Sequence, residues 1–264
     1  MQLHIFGEIS FVVIGFMALA SLCAGFVDAI AGGGGLIQLP ALLIGLSGSP
    51  TVQVLGTNKL ASVFGTSAAA VIYRRRVRPD LGFTLAMAVP AFFGSMCGAL
   101  LAAQIPTHAL RPLVFFLLLA VGIYTWRNPT LGHIELLRHT TRRRTWIAVV
   151  AGAAIGFYDG IFGPGTGTFL MVVLVALLGF AFLTASSIAK VVNVSTNIGA
   201  LTVFGFHGVI LWKVGLVLGL ANIVGGMLGA KIAIRGGSAF VRQVFLVITA
   251  ILIFKVGIDT LTHW

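Results

Sequence analysis

The chain has 264 residues, of which 58% are hydrophobic and only 9% are charged, and its mean hydropathy is +1.08. A soluble domain carries roughly 25% charged residues, so this composition excludes a water-soluble domain and predicts an all-α polytopic integral membrane protein. The net charge of +11 does not indicate a nucleic-acid partner, because the basic residues cluster in loops between apolar runs.

The first apolar run ends in the stretch GFVDAIAGGGGLIQLP, which places Asp28 just before four consecutive glycines at 32–35. Backbone that breaks at membrane depth has to be buried in protein or line a watery cavity. The glycines either break the helix and leave free N–H groups near Leu36, which attract anions, or allow close helix packing. A short apolar piece follows, from Leu36 to Leu46, about half the roughly 20 residues that a spanning helix needs.

The next helix carries a polar stripe. Lys59, Ser62 and Thr66 are spaced i, i+3 and i+7, which places them on one face, and Asn58 lies beside them. An ionisable residue inside a membrane segment is a functional candidate, although a lysine near a helix end can also reach the headgroups. Four arginines follow at 74, 75, 76 and 78, and then two apolar spans at roughly 81–103 and 108–126.

The second half repeats this order at an offset of 131 residues without a gap. Asp28 falls on Asp159 and Lys59 on Lys190, and the stripe continues with Asn193 and Asn197. The break recurs as GFYDGIFGPGTGTFL, with free N–H groups expected near Phe169. We therefore predict two homologous repeats with broken helices and about 8–10 membrane segments. The predicted units are a first repeat at 1–130, a basic cytoplasmic linker at 131–145 and a second repeat at 146–264.

The loop charges favour inverted repeats. Inversion places twelve basic residues on one side and leaves only Arg111 and Lys213 on the other, whereas parallel halves place ten and four. Inversion requires an odd number of crossings in each half. We expect five if the short piece completes a crossing, and four crossings per half remain the alternative.

The residues predict an anion site between the halves. Its candidate substrate-binding residues are Lys59, Lys190, Asn58, Ser62, Thr66, Asn193, Asn197, Gly33, Gly34, Gly35, Gly165, Thr166 and Gly167. Asp28 and Asp159 either neutralise the lysines, carry a coupling proton or cap the broken backbone. The histidines show no metal-ligand spacing, so neither a metal nor another cofactor is expected. Gly94-x-x-x-Gly98 and Gly225-x-x-x-Gly229 are typical of helix packing and also make a homodimer plausible.

The stretches GFVDAIAGGGGLIQLPAL, TNKL, GFYDGIFGPGTGTF and AKVVNVSTNIGAL resemble the sulfite exporter TauE/SafE family, in particular its YfcA-like branch. The resemblance covers nearly the whole chain. It implies an integral protein of the bacterial cell inner membrane that transports small sulfur oxyanions or organosulfonates. Members of this family are mostly described as exporters.

The sequence thus predicts a secondary transporter of a small anion by alternating access, with the lipid bilayer as its surroundings and proton coupling as an open option. Three transport or scaffold alternatives remain: a cation or proton pathway centred on Asp28 and Asp159, a passive anion channel, and a structural membrane subunit. An enzyme is not expected, because Ser186 and Ser187 lack the sequence context of a hydrolase nucleophile.

Overall fold

The structure is a computed structural model that describes residues 10–102, 104, 119, 123, 125–128 and 132–262. All regular structure in these residues is helical, which confirms the all-α membrane class. The helices are α1 (Phe11–Ala31), α2 (Gly35–Gly45), α3 (Thr51–Val77), α4 (Leu81–Leu101), α5 (Thr141–Ile161), α6 (Thr166–Val172) with a π-helical continuation (Val173–Leu177), α7 (Phe182–Phe206) and α8 (Trp212–Thr262), which kinks at Gly237. The predicted span at 108–126 lies largely outside the described residues.

The two broken helices are hairpins that turn back inside the bundle. The end of α2 at Gly45 packs against Met17 and Val13 in the first half of α1, so α2 runs back toward the end where α1 began. In the second hairpin, the end of the π-helical segment lies beside the start of α5, because Arg138 Nη1 donates to the carbonyl of Ala176 at 2.5 Å. The expectation that the short piece completes a crossing is therefore wrong. A break permits either direction, and here the glycines allow a reversal.

The basic loops meet at one end of the bundle, which we call the basic end. Arg242 donates to the carbonyl of Thr125, and Arg144 lies 5.9 Å above the ring of Phe83 at the start of α4. At the opposite end, the N–H of Leu211 donates to Thr57 at the start of α3. The arginines at 142–144 lie in α5 rather than in a loop, since α5 begins at Thr141 within the predicted linker. The positive-inside rule predicts that the basic end faces the cytoplasm.

The outer helices present apolar faces to the surroundings. Within the described residues, four helices are long and apolar enough to cross a membrane, namely Phe11–Ala31, Leu81–Leu101, Phe182–Phe206 and Trp212–Ile251. On α4, Leu85, Val89 and Phe93 follow one another at helical spacing and are each about half exposed or more. Continuous apolar surface of this kind fits a lipid environment and not water.

Two apolar clusters, one toward each end, enclose a polar layer. In α3, Val54 and Leu55 belong to the cluster at the opposite end, and Ala69 and Tyr73 belong to the cluster at the basic end. The polar stripe of α3 lies between these two groups. The same division recurs in α7, where Asn193 and Asn197 separate the two clusters. The functional candidates of both helices are therefore held deep inside the bundle.

The halves pack through glycines that exchange equivalent contacts. A side chain at Gly156 would collide with the carbonyl of Ala91, and one at Gly25 would collide with the carbonyl of Asn222. The two glycines are 131 positions apart, and so are Ala91 and Asn222. Such exchange is the pattern of a twofold interface. The duplication and the inversion stay predictions from the sequence.

The two GxxxG segments are used inside the chain. Gly94 packs on the backbone of α5 at Ala153 and Phe157, and Gly225 packs on the backbone of α1 at Leu22 and Phe26. The predicted packing role of these glycines is confirmed. The homodimer stays untested, and these faces no longer argue for it.

Replacing Gly156 with leucine should destabilise the fold by about 3 kcal/mol, because an added side chain meets rigid backbone. The matched control is Gly15→Leu, since Gly15 is exposed and has no neighbour within 4 Å of an added Cβ. The stability of both variants is measured by thermal unfolding in detergent, with size-exclusion chromatography as the readout. Equal unfolding midpoints for the two variants would contradict the close packing of the halves.

Cysteine labelling tests the inversion. Arg76 and His207 are 131 positions apart, are exposed and lie at opposite ends of the bundle. In a background lacking Cys23 and Cys97, an impermeant maleimide should label His207→Cys in intact spheroplasts. Arg76→Cys should react only after permeabilisation. Labelling of both positions from the same side would refute the inverted arrangement.

Candidate functional site

Two ion pairs, each with a buried lysine, connect the halves at the centre of the bundle. Lys59 Nζ lies 2.6 Å from Asp159 Oδ2, and Lys190 Nζ lies 2.8 Å from Asp28 Oδ2. Each lysine thus pairs with the aspartate of the other half. Lys59 and Asp159 are 3% exposed and Lys190 is fully buried. The pairing fits the interpretation in which the aspartates neutralise the lysines. It does not fit the alternative in which either lysine reaches the lipid headgroups.

The positions of these charges follow from the helices that carry them. The lysines lie in the first half of α3 and α7, the two helices that pass through the interior. The aspartates lie in the last turn of α1 and α5, immediately before the breaks. Removing one partner of a buried pair costs about 3–5 kcal/mol, because an unpaired charge then remains in a medium of low polarity.

The two breaks meet at their glycines. Gly32 adopts a positive φ of 80° and its Cα region packs directly on the backbone of Gly167, which leaves no space for a side chain at either position. The second break is held by two hydroxyl groups. Tyr158 donates to the carbonyl of Pro164 at 2.5 Å, and Thr166 donates to Asp159 Oδ1 at 2.7 Å. The glycines therefore serve both proposed purposes, since they break the helices and allow close packing.

The half-helices begin slightly earlier than the sequence suggests. The first starts at Gly35 and the second at Thr166, and no side chain caps either start. The N–H groups of Leu36 and Phe169 themselves donate to the carbonyls of Gly33 and Gly165 respectively, because the first turn of each half-helix forms directly on the break. The free N–H groups expected near these residues stay a prediction. The helix dipoles still point their positive ends toward the centre.

A small polar cavity lies between the breaks and the stripes. Its volume is about 30 Å³, which holds two or three water molecules. Most of the predicted site residues line it, as do both aspartates: Lys59, Asn58, Ser62, Thr66, Asn193, Asn197, Gly34, Gly35, Thr166, Gly167, Asp28 and Asp159. Three predicted residues, Lys190, Gly33 and Gly165, do not line it. Lys190 instead donates to the carbonyl of Asp28 as well as to its carboxylate.

Three lining residues lie outside the predicted breaks and stripes, namely Ala24, Gln38 and Asn222, and the first glycine of each break, Gly32 and Gly163, also lines the cavity. The two amides are the chemically important omissions. Gln38 and Asn222 are 1% and 3% exposed and hydrogen bond to each other. A polar residue within an apolar membrane segment is a usable signal, and each of these amides interrupts such a run.

The cavity is electrically balanced as it stands. The charges of Lys59, Asp28 and Asp159, which line the cavity, and of Lys190, which pairs with Asp28 outside the lining, cancel, and the remaining polar lining groups are amides, hydroxyls and backbone. An incoming anion meets neither a net positive charge nor a free lysine. Anion binding at this place therefore requires that at least one carboxylate lose its charge or its lysine.

A polytopic helical protein with paired charges and broken helices at its centre has the construction of a membrane transporter. Comparison with known proteins agrees. The family model described as sulfite exporter TauE/SafE matches residues 17–256. This chain belongs to that family and is a membrane transporter of the TauE/SafE type.

The relatives match over nearly their whole length. A probable membrane transporter protein of Sinorhizobium, ORF9, is 38% identical over 97% of this chain and 96% of its own. The probable membrane transporter protein YfcA of Escherichia coli K12 is 32% identical over 97% and 95%. A probable membrane transporter protein of Haemophilus influenzae is 34% identical over 96% and 97%. These names agree with the expectation of a protein that is not an enzyme. No solved structure matches the chain.

The cost of separating an ion pair is measurable. Lys59→Met should destabilise the protein by about 3–5 kcal/mol, because Asp159 loses its partner while buried. The double variant Lys59→Met with Asp159→Asn should recover most of that loss. Lys213→Met, which removes an exposed lysine at the opposite end, is the control and should leave thermal stability unchanged. A single variant as stable as the control would show that the pair is not buried in solution.

Proposed function

We propose that this transporter is a secondary carrier that exports a small anion, a sulfur oxyanion or an organosulfonate, by alternating access between its two halves. The observation that carries the proposal is the pair of crossed lysine–aspartate contacts beside a cavity of amides, hydroxyls and glycine backbone. A tetrahedral or pyramidal oxyanion has several acceptor oxygens, and this lining supplies donors from several directions. The substrate class also follows the description of the matching family.

Proton coupling follows from the charge balance. With both carboxylates charged, each lysine is occupied and the cavity is neutral. When Asp159 takes up a proton, the charge of Lys59 becomes available to an anion, and the anion in turn favours the protonated carboxyl group. Proton and anion therefore bind together and travel in the same direction. An anion that accumulates in the cell then leaves with a proton.

The breaks and the ion pairs also suggest what moves. Each hairpin carries an aspartate and meets the lysine helix of the other half, so a change in pairing alters the contact between the halves. In alternating access, one repeat rocks against the other around a central site. The inner membrane of a bacterium, with the basic end in the cytoplasm, is the proposed location.

Flux into proteoliposomes tests the proposal. The assay uses ³⁵S-labelled thiosulfate, sulfite, sulfate and sulfoacetate, with taurine, acetate and chloride as competitors, and pyranine trapped in the lumen. Saturable uptake of a sulfur oxyanion or sulfonate with acidification of the lumen is expected. The double variants Lys59→Met/Asp159→Asn and Lys190→Met/Asp28→Asn should abolish uptake, whereas Lys213→Met should transport normally. Protein-free liposomes control for passive permeation.

The alternatives give different results in the same assay. A passive anion channel takes up anion without acidification. A cation or proton pathway centred on Asp28 and Asp159 acidifies the lumen without any dependence on the anion, and survives replacement of the lysines. Uptake that is unchanged in both double variants would refute the proposed site.

A further inference from the structure

The buried amides Gln38 and Asn222 line the cavity beside the ion pairs and have no role in the pairing. Asn222 lies on the first arm of α8, and Gln38 lies in the first turn of the half-helix α2. Asn222 Nδ2 donates to Gln38 Oε1 at 2.9 Å. Gln38 Nε2 is buried and has no hydrogen-bond partner within the described residues. A buried donor without a partner is unfavourable, so Gln38 Nε2 is a donor available to an acceptor oxygen in the cavity.

A chain of hydrogen bonds fixes the orientation of both amides. Asn222 Nδ2 donates to the carbonyl of Ser21 at 2.9 Å and also contacts Ser21 Oγ at 3.1 Å. A carbonyl oxygen only accepts, so the atom that faces it must be the nitrogen of Asn222. That nitrogen also faces Gln38, which must therefore present its oxygen to Asn222. The Nε2 group of Gln38 is therefore the donor that has no acceptor within the described residues.

Glycines hold Asn222 in this place. Its side chain fits against Gly25 of α1 and Gly65 of α3, where any added Cβ would collide with it. Ser21 is anchored in turn, because its hydroxyl donates to the carbonyl of Leu218 at 2.8 Å. The donor of Gln38 is thus supported by packing and hydrogen bonds from three helices.

The arrangement exists on one side only. At an offset of 131 residues, Gln38 corresponds to Phe169, Asn222 to Ala91 and Ser21 to Gly152. The positions equivalent to the amide chain therefore carry a phenyl ring, a methyl group and a hydrogen in place of the two amides and the hydroxyl. The lysines show the same inequality, since Lys59 lines the cavity and Lys190 does not. Gln38 and Lys59 thus line the cavity, whereas their counterparts Phe169 and Lys190 do not.

We infer that Gln38 is a substrate-binding residue whose Nε2 group donates a hydrogen bond to an oxygen of the transported anion, while Asn222 and Ser21 position it. The inference rests on the proposed anion transport and locates the anion off the centre, toward the hairpin of the first half. Lys59 supplies charge when Asp159 is neutral, and Gln38 supplies a directed neutral donor that needs an acceptor oxygen. Asn222 acts through Gln38 and is a positioning residue.

The test measures anion binding to the purified full-length protein by the rise of its thermal unfolding midpoint with sulfite, thiosulfate or sulfate, against chloride at equal ionic strength. Gln38→Met keeps the length of the side chain and removes the donor. It should weaken binding about 10- to 100-fold, the effect of losing one hydrogen bond to a charged group. Asn222→Ala should weaken binding less. The double variant should bind no more weakly than Gln38→Met alone, because both changes act on one donor.

Thr249→Val is the matched control. Thr249 is 1% exposed, its Oγ1 has no partner in the described part of the chain, and it does not line the cavity. It should retain wild-type anion affinity. If Gln38→Met does not fold, Asn222→Ala alone carries the test, since unchanged affinity in it would overturn the positioning role and the inference with it.

Two outcomes separate this inference from the proposed function. Wild-type affinity in Gln38→Met, together with lost binding in Lys59→Met/Asp159→Asn, overturns the role of Gln38 and leaves the anion site standing. A wild-type protein that none of the three oxyanions stabilises beyond chloride overturns both.

Discussion

The structure depends on the neutralisation of charge inside the membrane. Lys59 and Lys190 would be too costly to bury alone, and each is matched by an aspartate within 2.8 Å. Because the partner always comes from the other half, the halves cannot separate without exposing charges. The glycine breaks make the pairing possible, since they let the two hairpins meet at the centre with their aspartates beside the lysine helices. The stability of the fold therefore depends on the balance of the charges inside it.

The same constraint gives the cavity its chemistry. A site whose charges cancel has little attraction for an anion, and in the proposed mechanism a proton would release the charge of a lysine. In the proposed mechanism, the surrounding amides and hydroxyls would replace the hydration of the bound anion. Lys59 would then select the ligand by charge, and Gln38 would select it by hydrogen bonding.

Local patterns in the sequence predicted the helical membrane class, the glycine breaks, the polar stripe of Lys59, Ser62 and Thr66, and the packing role of Gly94. Each depends on neighbouring residues in one helix. The reversal of α2 was not predictable, because a broken helix carries no local sign of its new direction. The ion pair of each lysine and the contact between Gln38 and Asn222 join residues at least 100 positions apart, and a local sequence pattern carries no information about such contacts.

The exchanged glycine contacts have the geometry of an interface that two identical chains could form. In such a pair every substitution appears twice, and the two sides of a central site stay chemically alike. Once both units belong to one polypeptide, each position can change independently of its counterpart. At the predicted offset of 131 residues, Gln38 and Phe169 differ in this way, while Asp28 and Asp159 are the same residue. Joining the units in one chain thus allows the centre of the protein to be chemically asymmetric, unlike the centre of a symmetric dimer. A ligand can then be held in a single pose rather than in two equivalent ones.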